Sequence, residues 1–119
     1  MKYFTRNELK CKCGCDQLVI DFNFISIIEQ LREFIDYPFI VNSFYRCEEH
    51  NKKIGGSRNS FHLKGQAIDL KINGENALRL IEVARCFGIT GVGVYKTFVH
   101  LDNGSTEDKK IKRPHFWVG

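Results

Sequence analysis

Ser60-Phe61-His62-Leu63-Lys64-Gly65-Gln66-Ala67-Ile68-Asp69-Leu70-Lys71-Ile72 contains the pattern that decides the fold. From Ala67 onward the bulky apolar residues Ile68, Leu70 and Ile72 alternate with Ala67, Asp69 and Lys71. Side chains of a strand point to its two faces in turn, so a half-buried strand packs the first set and turns Asp69 the other way. Gly65 lies just ahead, where a glycine can turn the chain through positive φ at little cost. Phe98-Val99-His100-Leu101-Asp102 follows the same logic: His100 and Asp102 share one face, Val99 and Leu101 the other. If the two strands are neighbours, their polar faces line a common site. His62, Asp69 and His100 then offer two imidazoles and a carboxylate, a donor set that holds zinc and leaves one position open for water. As isolated residues, four His in 119 read more readily as solvated surface groups than as metal ligands.

Outward from this block, Asp21 is placed to cap a helix reaching about Asp36, with Phe24, Ile28, Leu31 and Ile35 as its apolar stripe. Pro38 ends it, and Phe39 to Tyr45 reads as a strand. Glu48 to Lys53 is a short helix closed by Gly55-Gly56. A helix from about Glu75 to Phe87 follows, offering Ala77, Leu78, Ile81, Ala84 and Cys86 for burial, with Gly88 as its stop. One strand is expected from about Gly93 to Asp102, and Phe116-Trp117-Val118 returns the tail as a last strand. This order predicts a small α+β domain with helices packed on a mainly antiparallel sheet.

A chain of 119 residues, 43% apolar, suffices for one core, so residues 1–119 are expected to form a single domain, taken as a monomer. The net charge of +4 is modest, and its clearest cluster is Lys109, Lys110, Lys112 and Arg113. Such a run reads as a solvated tail or as a contact for an anionic polymer. Neither aromatic interleaving nor a recognition-helix motif accompanies it, so specific nucleic-acid binding is not expected. Met1 to Glu8 contains no apolar h-region, and nowhere do about 18 apolar residues run together, so neither an export signal nor a membrane span is expected. Synthesis in the cytoplasm is the corresponding expectation. Five Cys is an odd number, and three crowd into Cys11-Lys12-Cys13-Gly14-Cys15, where alternate residues cannot readily bridge one another. Reduced thiols are one reading. A second metal site using Cys11, Cys13, Cys15 and Cys47 or Cys86 is the other.

Four blocks together resemble the M15 peptidases, the zinc D-Ala-D-Ala carboxypeptidases and endopeptidases whose fold is shared with the hedgehog signalling domain. The blocks are Cys11-Lys12-Cys13-Gly14, then Ser43-Phe44-Tyr45-Arg46-Cys47 with Asn51 and Gly55-Gly56, then Ser60 to Asp69, then Gly91 to Asp102. The resemblance implies that His62, Asp69 and His100 hold Zn2+ and that Arg46 binds a substrate carboxylate or stabilises a developing oxyanion. Arg suits that role because its planar fork stays charged and can engage a carboxylate bidentately; an ion pair with Glu48 or Glu49 is the alternative. Ser60 either contacts substrate or caps the turn before His62. Tyr45, Tyr95 and Trp117 either line the cleft or pack in the core.

The implied function is zinc-assisted hydrolysis of peptide bonds in peptidoglycan stem peptides or cross-links, as a carboxypeptidase or an endopeptidase. A cell-wall target would be reached by lysis, as for a phage enzyme, or by another export route. Many relatives place an acidic general base three residues before the second His, and that position here is Thr97. Asp102 is then the candidate, either as base or as the group that orients His100, because two positions along a strand is about 6.6 Å. Relatives often carry an Arg where this chain reads Asn103-Gly104. His115 is an auxiliary proton carrier or an ordinary packed His. A zinc-stabilised binding module of the same fold, without turnover, is the competing function.

Overall fold

Thr5 and Glu8 start the first helix by a reciprocal cap. Thr5 Oγ1 accepts from the Glu8 N–H at 3.3 Å while the Glu8 carboxylate accepts from the Thr5 N–H at 2.9 Å, giving the one-turn α1 (Arg6–Leu9). The computed structural model describes residues 1–104 and 113–119; Lys109, Lys110 and Lys112 of the basic run lie outside the described residues. Asp21 caps α2 (Phe22–Phe34), accepting from the Phe24 N–H at 3.0 Å, and the expected stripe of Phe24, Ile28, Leu31 and Ile35 is buried in the core. The strand anticipated from Phe39 to Tyr45 is shorter, β1 (Val41–Ser43), and its pairing carries a register irregularity between Val41 and Ser43. Next come α3 (Glu48–Lys53), a one-turn 3-10 helix over Phe61–Lys64 and β2 (Ala67–Leu70).

The helix α4 (Gly74–Cys86) buries Ala77, Leu80 and Ala84. Leu78 is 59% exposed and Cys86 is exposed, so the buried face is rotated relative to the expected one and centres on Leu80. The single strand anticipated from Gly93 to Asp102 is a hairpin of β3 (Gly91–Val94) and β4 (Val99–Asp102). Its turn is closed by the Tyr95 N–H donating to the Phe98 carbonyl at 3.0 Å, and the Tyr95 and Phe98 rings stack at 4.4 Å. That turn lacks Gly, Pro and Asn, the residues that mark most hairpins in sequence.

The last strand is β5 (His115–Val118), and the sheet order is β1-β2-β4-β3-β5. Among the described residues only the β3–β5 pairing is parallel. The protein is thus the expected small α+β domain with a mainly antiparallel sheet. One face of the sheet, through Ile68, Leu70, Val92, Val99 and Leu101, joins α2 and α4 in the hydrophobic core. The opposite face carries Asp69 and His100 and is left for the site. Among the described residues no helix is long and apolar enough to cross a membrane.

Candidate metal centre and cleft

The register of the two central strands makes Asp69 and His100 direct cross-strand partners. Their side chains therefore share a face, and Asp69 Oδ1 lies 2.8 Å from His100 Nδ1. His62 arrives from the 3-10 turn, whose entry is capped by Ser60 Oγ accepting from the His62 N–H at 3.2 Å. The turn ends at Gly65, which adopts φ +66°; a Cβ there would collide with the Val19 carbonyl. Glycine is required on both counts.

His62 is 1% exposed, and its Nδ1 lies 2.6 Å from the Phe44 carbonyl. In the neutral ring Nδ1–H donates to that carbonyl, which leaves Nε2 as a lone pair. This Nε2 is buried without a hydrogen-bond partner among the described residues and sits 3.3 Å from Asp69 Oδ1. A lone pair facing a carboxylate oxygen is repulsive unless a cation lies between them. One donor atom from each of His62, Asp69 and His100 falls within 4.8 Å of the other two. These three residues could hold a metal ion, and the orphaned Nε2 of His62 fits that reading.

Two carboxylates flank His100, one on each ring nitrogen. Burial works to lower its pKa, but the carboxylates of Asp102 and Asp69 on its two ring nitrogens outweigh this and raise it to about 9. Burial likewise opposes ionisation of Asp69, and its contact with the His100 ring nevertheless holds it well below the usual carboxylate range. Asp102 is 1% exposed and fully engaged. Its Oδ2 lies 2.8 Å from His100 Nε2, and its Oδ1 accepts from the Gly104 N–H at 2.9 Å and from Arg113 at 2.8 Å. Burial would raise its pKa; His100, the Gly104 N–H and Arg113 lower it. A carboxylate on the far nitrogen of a ligating His fixes the ring and its tautomer.

The cleft over these groups measures about 610 Å3. Arg46, Ser60, Tyr95, Arg113, His115 and Trp117 line it together with the three candidate ligands and Asp102. Arg46 donates to Ser60 Oγ at 3.0 Å, and among the described residues no ion pair joins it to Glu48 or Glu49. Burial lowers its pKa while the Asp69 carboxylate opposes that shift. Ser60 therefore does two local jobs, capping the turn and holding Arg46. Tyr45 is not brought to the cleft: it is 8% exposed within the hydrophobic core, while its neighbour Arg46 points to the site. Tyr95 and Trp117 do form a wall, joined by the Trp117 Nε1–H donating to Tyr95 Oη at 2.8 Å.

Two contributions were not anticipated from the sequence. Arg113, counted there with the basic run, is buried against Asp102 and stacks its guanidinium 5.0 Å from the Phe61 ring centroid. Gly91 and Gly93 hold space open: a Cβ on Gly91 would strike Asp102 and Arg113, and one on Gly93 would strike the Trp117 indole. The alternation Gly91-Val92-Gly93-Val94 was the available signal, with valines toward the core and bare positions beneath the site.

A family model described as Peptidase M15 matches residues 2–102. The probable peptidoglycan L,D-endopeptidase MepK of Haemophilus influenzae is 40% identical over 52 residues, covering 42% of this chain. The match spans 28% of that relative's length.

Proposed function

The chain belongs to the peptidase M15 family, and from that premise we propose that it is a zinc peptidase that hydrolyses peptide bonds in peptidoglycan stem peptides or cross-links. The observation that carries the reading is the orphaned His62 Nε2, buried beside Asp69 and His100 at the floor of the cleft. The name of the H. influenzae relative supports the substrate class. His62, Asp69 and His100 would hold the zinc, which when bound would supply Lewis acidity, lowering the pKa of water from 15.7 to about 7 and polarising a carbonyl oxygen.

The chain's own residues divide the remaining work. Arg46, tethered to Ser60 Oγ, presents its guanidinium to the cleft to hold a peptide carboxylate or the oxyanion developing at the scissile carbonyl. Asp102 holds His100 from behind rather than taking a proton, because donors already occupy both of its oxygens. Thr97 lies exposed in the β3–β4 turn and cannot act as a base near neutral pH. Of the described cleft residues, His115 is then the group assigned to accept a proton from water and return it to the leaving amine. It stacks on Trp117, whose ring lies 5.2 Å from that of His100.

Incubating zinc-loaded protein with purified peptidoglycan and identifying products by mass spectrometry tests the reading. Expected are chelator-sensitive products that vanish with His62→Ala and fall on the order of 100-fold with His115→Gln while zinc is retained. Loss of a single terminal residue marks exo action, and separated stem peptides mark endo action. Products indifferent to His62→Ala, or none across several wall chemotypes, would sink it. A zinc-stabilised binding module is favoured by one observation, the full engagement of Asp102 with Thr97 outside the cleft, and it calls for muropeptide binding without any cleavage.

A further inference from the structure

Outside the cleft, a second cluster of metal-type donors remains unused. Cys11, Cys13, Cys15 and Cys47 bring one sulfur each to within 4.8 Å of the other three. We propose that these four cysteines hold a second zinc ion in a closed tetrathiolate site whose role is structural. The inference is independent of what the cleft hydrolyses.

Distances argue first. Cys11 and Cys13 sulfurs lie 3.5 Å apart, Cys11 and Cys47 3.7 Å, and Cys13 and Cys47 3.8 Å. Metal–sulfur bonds of about 2.3 Å in a regular tetrahedron give sulfur–sulfur edges of about 3.8 Å. A disulfide brings its sulfurs to about 2.05 Å, so the spacing matches a shared ion and not a bridge. All four donors come from protein, which leaves no position for water or substrate, and a closed site of this kind is structural rather than catalytic.

The backbone is shaped for the same purpose. Fully extended, Cys11, Cys13 and Cys15 would sit about 6.6 Å apart along the chain. Gly14 at φ +93° and Asp16 at φ +61° fold the segment back instead, and the Cys11 N–H donates to the Gln17 carbonyl at 2.9 Å to close the loop. Backbone N–H groups aim at the sulfurs: Cys47 at Cys11 Sγ (3.4 Å), His50 at Cys47 Sγ (3.4 Å) and Gln17 at Cys15 Sγ (3.5 Å). Such donors favour thiolate, the form that binds metal. Cys86 is exposed on α4 and outside the cluster, so of the two fourth ligands open in the sequence, Cys47 is the one assembled.

Position gives the site its consequence. Cys47 directly follows Arg46, and Phe44, three residues earlier, supplies the carbonyl that holds His62 Nδ1. An ion shared by Cys11, Cys13, Cys15 and Cys47 ties the N-terminal segment to the stretch that carries both functional groups.

Elemental analysis of the full zinc-loaded chain is expected to give two zinc equivalents, falling to one in His62→Ala/His100→Ala. Cobalt loaded into that double variant should show the intense sulfur-to-metal charge-transfer bands of tetrahedral thiolate coordination, and Cys47→Ser added to it should abolish them. Should Cys47→Ser fail to fold, thiol labelling of the wild-type chain decides: only Cys86 reacts while zinc is bound, and all five cysteines react after chelation. A double variant that holds no metal, cobalt spectra without sulfur bands, five equally reactive thiols in the zinc-loaded chain, or a disulfide within the cluster overturns the proposal. Peptidoglycan hydrolysis can fail with every one of these results intact.

Discussion

Asp102 commits both carboxylate oxygens inside the protein, to His100 on one side and to the Gly104 N–H and Arg113 on the other. A residue so placed acts through the ring it holds, which separates it experimentally from a base. Asp102→Asn removes the charge behind His100 and turns an amide toward Nε2. Zinc affinity is expected to fall about 10- to 100-fold, measured by competition with a chromophoric chelator. A base would instead lose turnover with zinc affinity unchanged, and that result would return Asp102 to the proton-transfer role. Much of this neighbourhood was legible in the sequence. Strand alternation turns Asp69 and His100 to one face, His62 enters from the 3-10 turn and was implied by the resemblance of its block, and Ser60 and Gly65 carry the local chemistry of cap and turn. Arg113 was not legible, because its meaning depends on a parallel strand pairing formed far along the chain and on a buried carboxylate that only the fold creates. Tyr45 misled for the opposite reason: in an irregular segment next to β1, neighbouring side chains do not obey a simple alternation.

At the level of elements, the helix α2 depends on a cap that also braces the site. Asp21 accepts from the Gln66 side chain at 2.7 Å and from the Phe24 N–H at 3.0 Å, and these two contacts, largest first, lower its pKa. A carboxyl whose folded pKa is depressed contributes stability that is present above its unfolded value of about 3.9 and is lost as pH falls through the folded value. Asp21→Ala is therefore expected to cost about 1 kcal/mol near pH 7, with the deficit shrinking below about pH 4 in urea melts. Asp21→Asn, which caps as well, should track wild type near neutrality; a deficit for Ala that is constant from pH 2 to 7 would refute the assignment. The strand β3 yields a second test. Gly93 pairs with His100 on one side and Trp117 on the other, and its bare Cα lets the indole lie across it. Gly93→Ala should destabilise by about 1–3 kcal/mol and shift the emission of Trp117, the chain's single tryptophan, toward that of an exposed indole. Unchanged emission would mean the ring does not rest there. The extents of α2 and α4 were read well although the buried face of α4 was not, whereas the β3–β4 hairpin was fused into one strand because its turn carries aromatic and polar residues instead of the usual Gly or Asn. The Thr5-x-x-Glu8 box signalled α1, but a single turn has too little periodicity to stand out.

Across the whole molecule, the core and the cleft draw on different parts of the chain. Among the described residues, every member of the hydrophobic core lies at or before Leu101, and the family match ends at Asp102. The strand β5 adds nothing to that core: Phe116 and Val118 are 59% and 75% exposed, while His115 and Trp117 turn their half-buried sides to the cleft. It docks as an edge strand whose inward face is the site itself. A chain ending at residue 104 should consequently fold, since it keeps the core, the four paired strands and all three candidate zinc ligands. It should melt at lower temperature, because Asp102 loses its buried Arg113 partner and β3 becomes a sheet edge. Zinc at the His62 centre should persist with reduced affinity, as the orientation of His100 weakens. Turnover should drop by far more than zinc occupancy, because the truncation takes away the Trp117 wall and His115 together. Circular dichroism melts, zinc equivalents and product release from peptidoglycan read these three outcomes separately. A truncated chain that is unfolded would show that β5 stabilises the fold through contacts beyond the core. One that cleaves at the wild-type rate would remove His115 and Trp117 from the machinery and leave Arg46 and the three ligands as the working site.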